Sequence, residues 1–502
     1  MSLIENPYPY FLCTAGQCRN LDSNTIDNFG IDGFTLMETA ALQAARFVGE
    51  HQGESKHGLF ICGKGNNAGD ALAMARYLLQ EFVHKATVYF VSGTNELSPD
   101  ADKNYGLLEK LKDSGFPVQF HDDFDQIAPA QYDYIVDGML GTGLSSPLRS
   151  AYKEATQLIN RTHSTIFSVD IPTGLHADSG EVLGDAVIAD YTLTFGVKKT
   201  GFYFGDGRNR TGEVILFQLP FARQFIESEV LAIDQSWLPK LPAIRRDGRH
   251  KYDNGVVHIL AGSEGLSGAA IMASKSAWNS GASAVILYAP KGLLPVYETA
   301  IPDIIKIPVG KRDDYYYKPD HLSTISENVQ RRGGVILMGP GAGLENETRK
   351  LFLELLEHCD QPVILDADGL SAWEEINRNP GKYEPGRMVL TPHPGELKNY
   401  LQAGFKSEYD RFNWAKEFIA TNEAFLLAKG NPVVFGDKNQ VYLTGYDTSA
   451  FTRAGFGDVL GGTMAANLAI SEKPGLSIIH ALLSARLKSK QISGPIAPAD
   501  LL

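Results

Sequence analysis

The sequence predicts an α/β protein built from two tandem domains. In both halves of the chain, short apolar runs alternate with segments of helical length. Strands separated by helices are typical of βαβ units, which assemble into parallel sheets. The chain has 502 residues, too many for one ordinary hydrophobic core. We therefore expect a first domain over residues 1–222, a linker and the start of the second domain over 223–249, and a second domain over 250–502.

Six strands are predicted in the first half, each a short apolar run rich in β-branched or aromatic residues. They are Leu59–Cys62, Ala86–Val91, Tyr134–Asp137, Thr165–Val169, Tyr191–Phe195 and Glu213–Phe217. Helical segments lie between them, as at 71–82 and 102–112. The pattern weakens between 219 and 249, where the stretch 239–249, rich in Pro and charge, indicates an exposed connection.

A second alternating series follows this connection. Its predicted strands are Val256–Leu260, Ala284–Tyr288, Gly334–Met338, Pro362–Leu365, Met388–Leu390 and Ala424–Leu427. Two further runs, Val433–Phe435 and Val441–Leu443, flank a short turn segment and predict a hairpin. His258 falls inside a strand pattern, and we assign it to the core.

Charge and composition exclude several classes of function. Lys and Arg number 46 and Asp and Glu 59, so the net charge is −13. A surface this acidic disfavours general binding to nucleic acids or anionic membranes. We find no basic leader and no apolar run near the ~18 residues of a membrane span, so we expect a cytoplasmic protein without membrane contact. The four cysteines form no CxxC pair; Cys13 and Cys18 are near enough in sequence to pair, but we expect the reduced state.

Three loops in the first half place glycines beside carboxylate or amide side chains, directly after predicted strands. Gly63–Asp70 opens a helix, where free amides suit phosphate and the side-chain oxygens suit a ribose hydroxyl or a hard cation. Asp137–Pro147 and Asp170–Gly174 follow two later strands. Each loop alone is also typical of a helix cap or an Asx turn. Because the carboxyl ends of parallel strands meet at one edge of a sheet, we expect the three to form one binding crevice.

The second half has a comparable set of loops. Ala454–Asp458 precedes a helix rich in small residues, and its Gly-x-Gly-Asp turn predicts an amide nest for phosphoryl oxygens. Asp458 could act as the base for a hydroxyl being phosphorylated, or simply counter the helix dipole. Four more loops follow predicted strands, namely Gly339–Gly343, Asp366–Gly369, Thr391–Glu396 and Lys429–Val433.

Taken in order, these motifs resemble a known enzyme family. The second half is similar to the NAD(P)H-hydrate dehydratase branch of the ribokinase-like fold, through Gly339-Pro-Gly, Leu365-Asp-Ala-Asp, Leu390-Thr-Pro-His-Pro-Gly-Glu396, Lys429-Gly and Gly455-Phe-Gly-Asp458. The first half resembles the NAD(P)H-hydrate epimerase domain, through Leu36-Met-Glu-Thr-Ala40, Gly65-Asn-Asn-Ala-Gly-Asp70, Asp137-Gly-Met-Leu-Gly-Thr-Gly143 and Val169-Asp-Ile-Pro-Thr-Gly174. The fusion order is that of the bacterial bifunctional repair enzymes. The resemblance implies a Rossmann-like α/β/α sandwich followed by a ribokinase-like α/β domain.

For the first domain, the resemblance implies interconversion of the R and S epimers of NAD(P)H hydrate. Asp170 is then the acid/base, and a potassium ion lies on Asn67, Asp137 and Thr173. The residues expected to bind the hydrated dinucleotide are Asn66, Asn67, Ala68, Gly69, Asp70, Gly141, Thr142, Gly143, Leu144, Ser145, Ser146, Pro147 and Asp170. Ala68 and Ala71 replace two glycines of the usual family motif.

For the second domain, the resemblance implies dehydration of S-NAD(P)H hydrate to NAD(P)H at the expense of ADP or ATP. It also implies that magnesium is required and that AMP or ADP and phosphate are released. Asp458 is then the catalytic base. Ala270, Gly341, His393 and Asp458 are expected to contact the hydrate, and Lys429, Gly430, Asn431, Pro432, Val433 and Gly457 the nucleotide. Arg453, Ala454 and Phe456 replace small residues of the family signature. A homo-oligomer is also expected.

An alternative stays open at this point. The second domain could be a small-molecule kinase for a vitamin or sugar, joined to a non-catalytic dinucleotide-binding module, since one fold hosts many such activities. The Thr-Pro-His-Pro-Gly-Glu run and the epimerase-like partner favour the repair reaction.

Overall fold

The computed structural model describes residue 3 and residues 7–121, 123–128, 131–244 and 255–502. Its contacts divide the chain into one unit formed by Tyr8–Val230 and another that contains Leu231–Leu502. Residues 245–249 of the predicted exposed connection lie outside the described residues.

The first unit is built on a seven-stranded sheet with the order β4-β3-β2-β5-β6-β7-β9, and every neighbouring pair is parallel. A separate parallel pair joins β1 to β8. The strands are β1 Leu12–Cys13, β2 His57–Cys62, β3 Lys85–Phe90, β4 Val118–His121, β5 Tyr134–Gly138, β6 Thr165–Val169, β7 Tyr191–Phe195, β8 Lys198–Lys199 and β9 Glu213–Phe217.

Helices cover both faces of this sheet. They are α1 Ala15–Ser23, α2 Gly33–Gln52, α3 Asn66–Glu81, α4 Pro99–Asp113, α5 Ser150–Ile159 and α6 Gly207–Arg210, and a π-helical turn, Asn24–Phe29, follows α1. Alternate residues of β2 enter two different cores: Phe60 packs with the residues of α2 and α3, and Leu59 and Ile61 pack with those of α5. A sheet buried on both faces explains why its strands are almost continuously apolar.

The second unit contains a ten-stranded sheet with the order β10-β19-β18-β17-β16-β15-β14-β11-β12-β13. The pairs from β13 to β17 are parallel, and β18 is antiparallel to both of its neighbours, β17 and β19. The strands are β10 Val230–Ile233, β11 Val256–Leu260, β12 Ala284–Pro290, β13 Ile305–Val309, β14 Val335–Met338, β15 Val363–Leu365, β16 Met388–Leu390, β17 Phe425–Ala428, β18 Val434–Asp437 and β19 Gln440–Thr444.

Ten helices of the described residues accompany these strands, among which α15 packs closely on α7 and α16. They are α7 Ser267–Asn279, α8 Leu294–Ala300, α9 Leu322–Arg332, α10 Asn346–His358, α11 Trp373–Arg378, α12 Pro380–Tyr383, α13 Pro394–Tyr400, α14 Glu408–Thr421, α15 Phe456–Ser471 and α16 Pro474–Lys490. Within the part of the chain that is described, no helix is both long and apolar enough to cross a membrane.

The predicted α/β class is confirmed, and so is the hairpin, formed by β18 and β19. His258 is buried, stacks on Tyr288 and hydrogen-bonds its hydroxyl at 2.9 Å, so it is a core residue. All four cysteines are free, as expected. Two strands of the large sheet were not anticipated. β10 has only four residues, and β13 is an edge strand interrupted by Pro308 and partly exposed.

Candidate functional site

The first candidate site lies at the carboxyl edge of the seven-stranded sheet. β2, β5 and β6 are adjacent, and the sheet order turns back between β2 and β5, which is where open parallel sheets bind ligands. The three loops predicted from sequence leave these strands. Gly63 is required in the first of them, because a Cβ there would lie 2.0 Å from the Met139 carbonyl oxygen.

Asp137 is the second-last residue of β5 and a fully buried carboxylate. It accepts hydrogen bonds from the Thr173 amide at 2.9 Å, the Thr173 hydroxyl at 2.7 Å and the Ser168 hydroxyl at 2.9 Å, and a longer one from the Met139 amide at 3.3 Å. Burial raises the pKa of Asp137, and these hydrogen bonds act in the opposite direction. The carboxylate thus fixes the loop after β6 to the end of β5.

Asn67 lies beside this network. The backbone oxygen of Asn67 is 3.2 Å from the position that a Cβ on Gly138 would occupy. Its side-chain Oδ1 is 3.6 Å from the corresponding position on Gly141. The Asn67 Nδ2 is buried and has no hydrogen-bond partner. Asn67, Asp137 and Thr173 therefore lie in one region, as the expected cation site requires. Among the described residues, no group of three or more His, Cys, Asp or Glu side chains is arranged for a metal ion.

The start of α3 presents only part of the predicted motif to a ligand. The amides of Ala68 and Gly69 already donate to the Gly65 carbonyl at 3.0 and 3.3 Å. Those of Asn66 and Asn67, the first two helical residues, have no acceptor within the helix and suit an anion. The Ala68 and Ala71 side chains lie in the hydrophobic core, so neither methyl projects into the crevice.

The loop from Gly141 to Pro147 follows β5 and is partly or fully exposed along its whole length, with Thr142, Gly143, Leu144, Ser145 and Ser146 between its ends. Leu140, just before it, is held by an amide hydrogen bond to the Thr173 hydroxyl at 3.0 Å. The loop is therefore anchored at its base and open above the crevice, where its amides can meet a phosphate group.

Asp170 follows β6 with a left-handed backbone, φ +64°. Its amide donates to the Leu193 carbonyl of β7 at 2.7 Å, and its side chain forms an ion pair with Lys199. A non-glycine residue with positive φ is sparsely populated, and such strain concentrates at functional sites.

Two further carboxylates face this ion pair. Asp70 is the fifth residue of α3, and burial and the charges of Asp170 and Asp22 raise its pKa well above the usual range. Asp22 lies on α1, at the exposed rim. The sequence analysis missed Lys199 and Asp22, because the only signal was a Lys-Lys pair and a lone acidic residue, neither of which is unusual.

The second candidate site is a cavity of about 770 Å³ in the C-terminal unit. It brings together predicted residues from three loops, namely His393, Lys429, Gly430, Asn431, Val433, Gly457 and Asp458. Pro432 is not part of the lining, and its carbonyl instead accepts from the buried Arg411 at 2.5 Å.

Asp458 is the third residue of α15, directly after a tight turn in which Gly455 has φ +95°. Burial, and then the negative charge of Asp366, raise the pKa of the Asp458 carboxyl to about 7, although the Lys429 ammonium opposes this. A carboxyl that titrates near neutral pH can accept a proton from a substrate and release it again.

Lys429 lies immediately beside the same turn. Its Nζ is 2.5 Å from Oδ1 of Asp366 and 3.3 Å from the position that a Cβ on Gly457 would occupy. Burial works to lower the pKa of Lys429, but the Asp366 and Glu396 carboxylates hold it above its ordinary value. The helix N-terminus and this ammonium together favour a bound anion.

His393 lies at the end of the loop after β16 and is the N-cap of α13. Its Nδ1 accepts from the Gly395 amide at 2.9 Å and the Glu396 amide at 3.2 Å, and its Nε2 lies 3.2 Å from Glu396 Oε1. The side chain is 57% exposed and lines the cavity. The capping bonds fix its orientation.

Ala270 and Gly341 lie elsewhere in the same unit, where β11 and β14 meet and the order of the large sheet turns back. Neither lines the cavity. The Gly262 amide, after β11, donates to the Pro340 carbonyl at 2.8 Å. Gly341 has φ +58°, and a Cβ on it would lie 3.0 Å from the Leu266 Cβ, at the start of the helix that carries Ala270.

The three residues that depart from the family signature all line the cavity but differ in their exposure. Arg453 and Ala454 are exposed and line the cavity. Phe456 is buried, meets Phe451 edge-on at 5.7 Å and packs with Ile496 and Leu501. Its ring therefore anchors the turn before α15 through this cluster and also lines the cavity.

Comparisons with known proteins agree with the two units. A family model described as YjeF-related protein N-terminus matches residues 33–201, and one described as NAD(P)H-hydrate dehydratase matches residues 257–497. Among solved structures, an ADP/ATP-dependent NAD(P)H-hydrate dehydratase from Bacillus subtilis, co-crystallised with ATP and Mg²⁺, is 24% identical with a TM-score of 0.40, over 52% of this chain and 90% of that one. A ribokinase-like superfamily protein from Enterococcus faecalis is 17% identical with a TM-score of 0.46, over 54% and 93%.

Relatives also match over nearly the whole chain. A protein of Dictyoglomus turgidum named bifunctional NAD(P)H-hydrate repair enzyme is 32% identical over 463 residues, which cover 90% of this chain and 88% of that protein. A protein of Salinibacter ruber with the same name is 32% identical over 494 residues, covering 94% and 89%. The resemblance drawn from the motifs is thus confirmed, and the chain belongs to the family of bifunctional NAD(P)H-hydrate repair enzymes.

Proposed function

We propose that this chain repairs hydrated NAD(P)H in two steps, epimerising the R and S hydrates in its first unit and dehydrating the S hydrate in its second. The observation that carries the proposal is the arrangement of Asp458, Lys429 and Asp366 at one helix N-terminus inside a large cavity, in a chain of this family. A base and a fixed cation beside an amide nest are the parts that phosphoryl transfer to a hydroxyl needs.

In the dehydration step, Asp458 would remove the proton of the ring hydroxyl, whose oxygen then attacks the terminal phosphorus of ADP or ATP. The P–O bond to AMP or ADP breaks, and the hydroxyl has become a phosphate ester. The ring nitrogen then expels phosphate, and loss of a proton from the neighbouring ring carbon gives NAD(P)H. Phosphorylation is needed because hydroxide is a poor leaving group.

The nucleotide would lie against Lys429–Val433, with its terminal phosphate at the amides of the turn that ends in Gly457. Asp366, Glu396 and Asp458 supply carboxylate oxygens in the same region, the ligand type that Mg²⁺ prefers. Magnesium bound with the nucleotide would neutralise phosphate charge during transfer.

In the epimerisation step, the ring hydroxyl leaves as water after protonation, and the ring nitrogen stabilises the planar cation that remains. Water then adds to the planar cation from either face and gives up a proton to the base. Addition from the face opposite the departed hydroxyl inverts the centre. Asp170 is the proposed acid/base, because it is partly exposed at the end of β6, next to the strand whose loop could bind phosphate. The Asp22 carboxylate, which acts on both Asp70 and Lys199, would add negative charge near the cation.

The first site also fits a potassium ion on Asn67, Asp137 and Thr173. Asp137 is a fully buried carboxylate whose partners are neutral hydroxyls and amides, and the side-chain oxygen of the nearby Asn67, 3.6 Å from the Cβ position on Gly141, is a further oxygen donor. A bound cation would supply the missing positive charge and hold the loops after β5 and β6 together. The expected cytoplasmic location and homo-oligomer stay predictions.

The test follows recovery of reduced-nicotinamide absorbance from a mixture of hydrate epimers, with ADP, ATP or no nucleotide. We expect recovery of both epimers with at least one nucleotide, and formation of NAD(P)H and phosphate in equal amounts. An accumulating phosphorylated product without NAD(P)H would contradict the dehydratase assignment and indicate a kinase. The recovery rates with each nucleotide show whether ADP or ATP is preferred. The same assay with NADH hydrate and with NADPH hydrate shows which substrate is preferred.

A further inference from the structure

We infer that Lys199 is a positioning residue of the epimerase site, which balances the charge of Asp170 and fixes Oδ1 of its carboxylate so that Oδ2 faces the substrate. The inference rests on the proposed epimerase activity and assigns a role to a residue that the motifs do not contain.

The contacts of Lys199 carry the first part of the argument. Its side chain is only 3% exposed, whereas that of Asp170 is 20% exposed. The Lys199 Nζ donates to Asp170 Oδ1 and, at 2.7 Å, to the Thr194 hydroxyl, which itself lies 3.5 Å from the same Oδ1. Within the described chain, the hydrogen bonds to this carboxylate all reach Oδ1. Oδ2 is therefore the oxygen available for proton exchange with a ligand.

The backbone around Lys199 carries the second part. Lys199 lies on β8, where it pairs with Cys13 of β1, and it follows β7, which also supplies Thr194. Two strands thus hold the lysine backbone, so its ammonium reaches Asp170 from a fixed position. The Asp170 backbone is held separately, by the hydrogen bond of its amide to Leu193. Both partners are therefore preorganised, as precise catalysis requires.

The surrounding charges explain why a lysine is buried here. α1 contributes Cys18 and Asp22, α3 contributes Asp70, and Asp100 of α4 acts on Asp70. Burial works to lower the pKa of Lys199, but Asp170 and Cys18 hold it above its ordinary value. Burying an ammonium without a charged partner is costly. Because Lys199 contacts Asp170 among the several carboxylates nearby, we infer that it balances the charge of Asp170.

The experiment measures interconversion of separated R and S hydrates by chromatography, without nucleotide, so that the dehydratase is silent. The variants are Lys199→Met, Lys199→Arg, Asp170→Asn and the double variant Asp170→Asn/Lys199→Met, with Lys198→Met on the same short strand as the matched control. Thermal unfolding of each variant reports whether it folds. The double variant removes both charges, which avoids an unpaired buried carboxylate.

We expect Lys199→Met to slow interconversion about 10²-fold, because Oδ1 of Asp170 is then no longer held by the ammonium. Lys199→Arg should recover much of the rate, and Lys198→Met should match the wild type. In the Asp170→Asn background, Lys199→Met should cause no further loss.

Equal rates for wild type and Lys199→Met would overturn the inference, as would a full additional loss in the Asp170→Asn background. A wild-type chain that interconverts the epimers no faster than they do spontaneously would contradict the epimerase activity itself. The two failures are thus distinguishable.

Discussion

The Nζ atom of Lys429 lies 2.5 Å from Oδ1 of Asp366, which also accepts hydrogen bonds from the Thr391 hydroxyl at 2.7 Å and the Ala367 amide at 2.9 Å. This contact joins the loops after three adjacent strands, β15, β16 and β17. The Lys429 ammonium is thereby held beside the turn before α15. The Asp366 carboxylate that balances it is buried, with only 2% of its side chain exposed. The phosphate-binding region is therefore fixed by the sheet before any ligand arrives.

Asp458→Asn should nearly abolish recovery of NADH while nucleotide binding survives. The amide keeps the shape of the carboxyl but cannot accept the hydroxyl proton, and loss of a general base costs about 10²–10⁴-fold. Absorbance recovery measures the first quantity and calorimetric titration with ADP or ATP the second. Recovery within a few-fold of wild type would show that Asp458 is not the base.

The dehydratase rate should rise with pH through about 7, the pKa of the Asp458 carboxyl. Only the ionised form accepts a proton, so kcat/KM should fall about tenfold per pH unit below that value. Purified S hydrate is the substrate, and the residual activity of Asp458→Asn is the control, which should lack this limb. A wild-type profile that is flat across this range would contradict the assignment.

Asp366→Asn should lower both dehydratase activity and thermal stability, because it leaves the mostly buried Lys429 ammonium without its carboxylate. Breaking one partner of a buried pair costs about 3 kcal/mol. The matched control is Lys438→Met, which breaks the exposed 3.4 Å pair with Glu423 in the same unit and should cost under about 1 kcal/mol. Denaturant unfolding gives both values, and similar losses in the two variants would refute the role of the Asp366 pair.

Asp170→Ala should leave conversion of the S hydrate intact and strand the R hydrate. A pocket built around one face of the ring cannot present the opposite hydroxyl to the same phosphate and to Asp458. Wild type should consume both epimers, whereas the variant should stop when the S hydrate and its slow spontaneous supply are exhausted. Chromatography of the residual substrate checks this, and equal consumption of both epimers at wild-type rate would mean that Asp170 is only a turn residue.

The sequence predicted the strand ends well, because a glycine or acidic residue after a β-branched run is a local signal. Asp137, Asp170 and Asp366 were all located this way. Their partners could not be found from the same signal. Lys199 reaches Asp170 through the pairing of β8 with β1, which joins residues nearly two hundred positions apart, and Lys429 is 63 residues from Asp366. Such contacts depend on the register of strands that are distant in the chain.

The capping role of His393 was missed for a different reason. The run of two prolines around it indicates a turn, and histidine is not among the residues usually found at a helix N-cap. The helix that follows has only seven residues, too short for a clear apolar period.

The packing of Phe456 has a consequence for how the protein loses activity on heating. Phe456 joins the turn before α15 to Phe451, Ile496 and Leu501, so the amides of that turn share the stability of a small satellite cluster. Local opening of such a cluster takes less free energy than unfolding of the whole unit. Dehydratase activity should therefore decline at temperatures below global melting. Amide hydrogen exchange at the turn and at 492–502 should rise together.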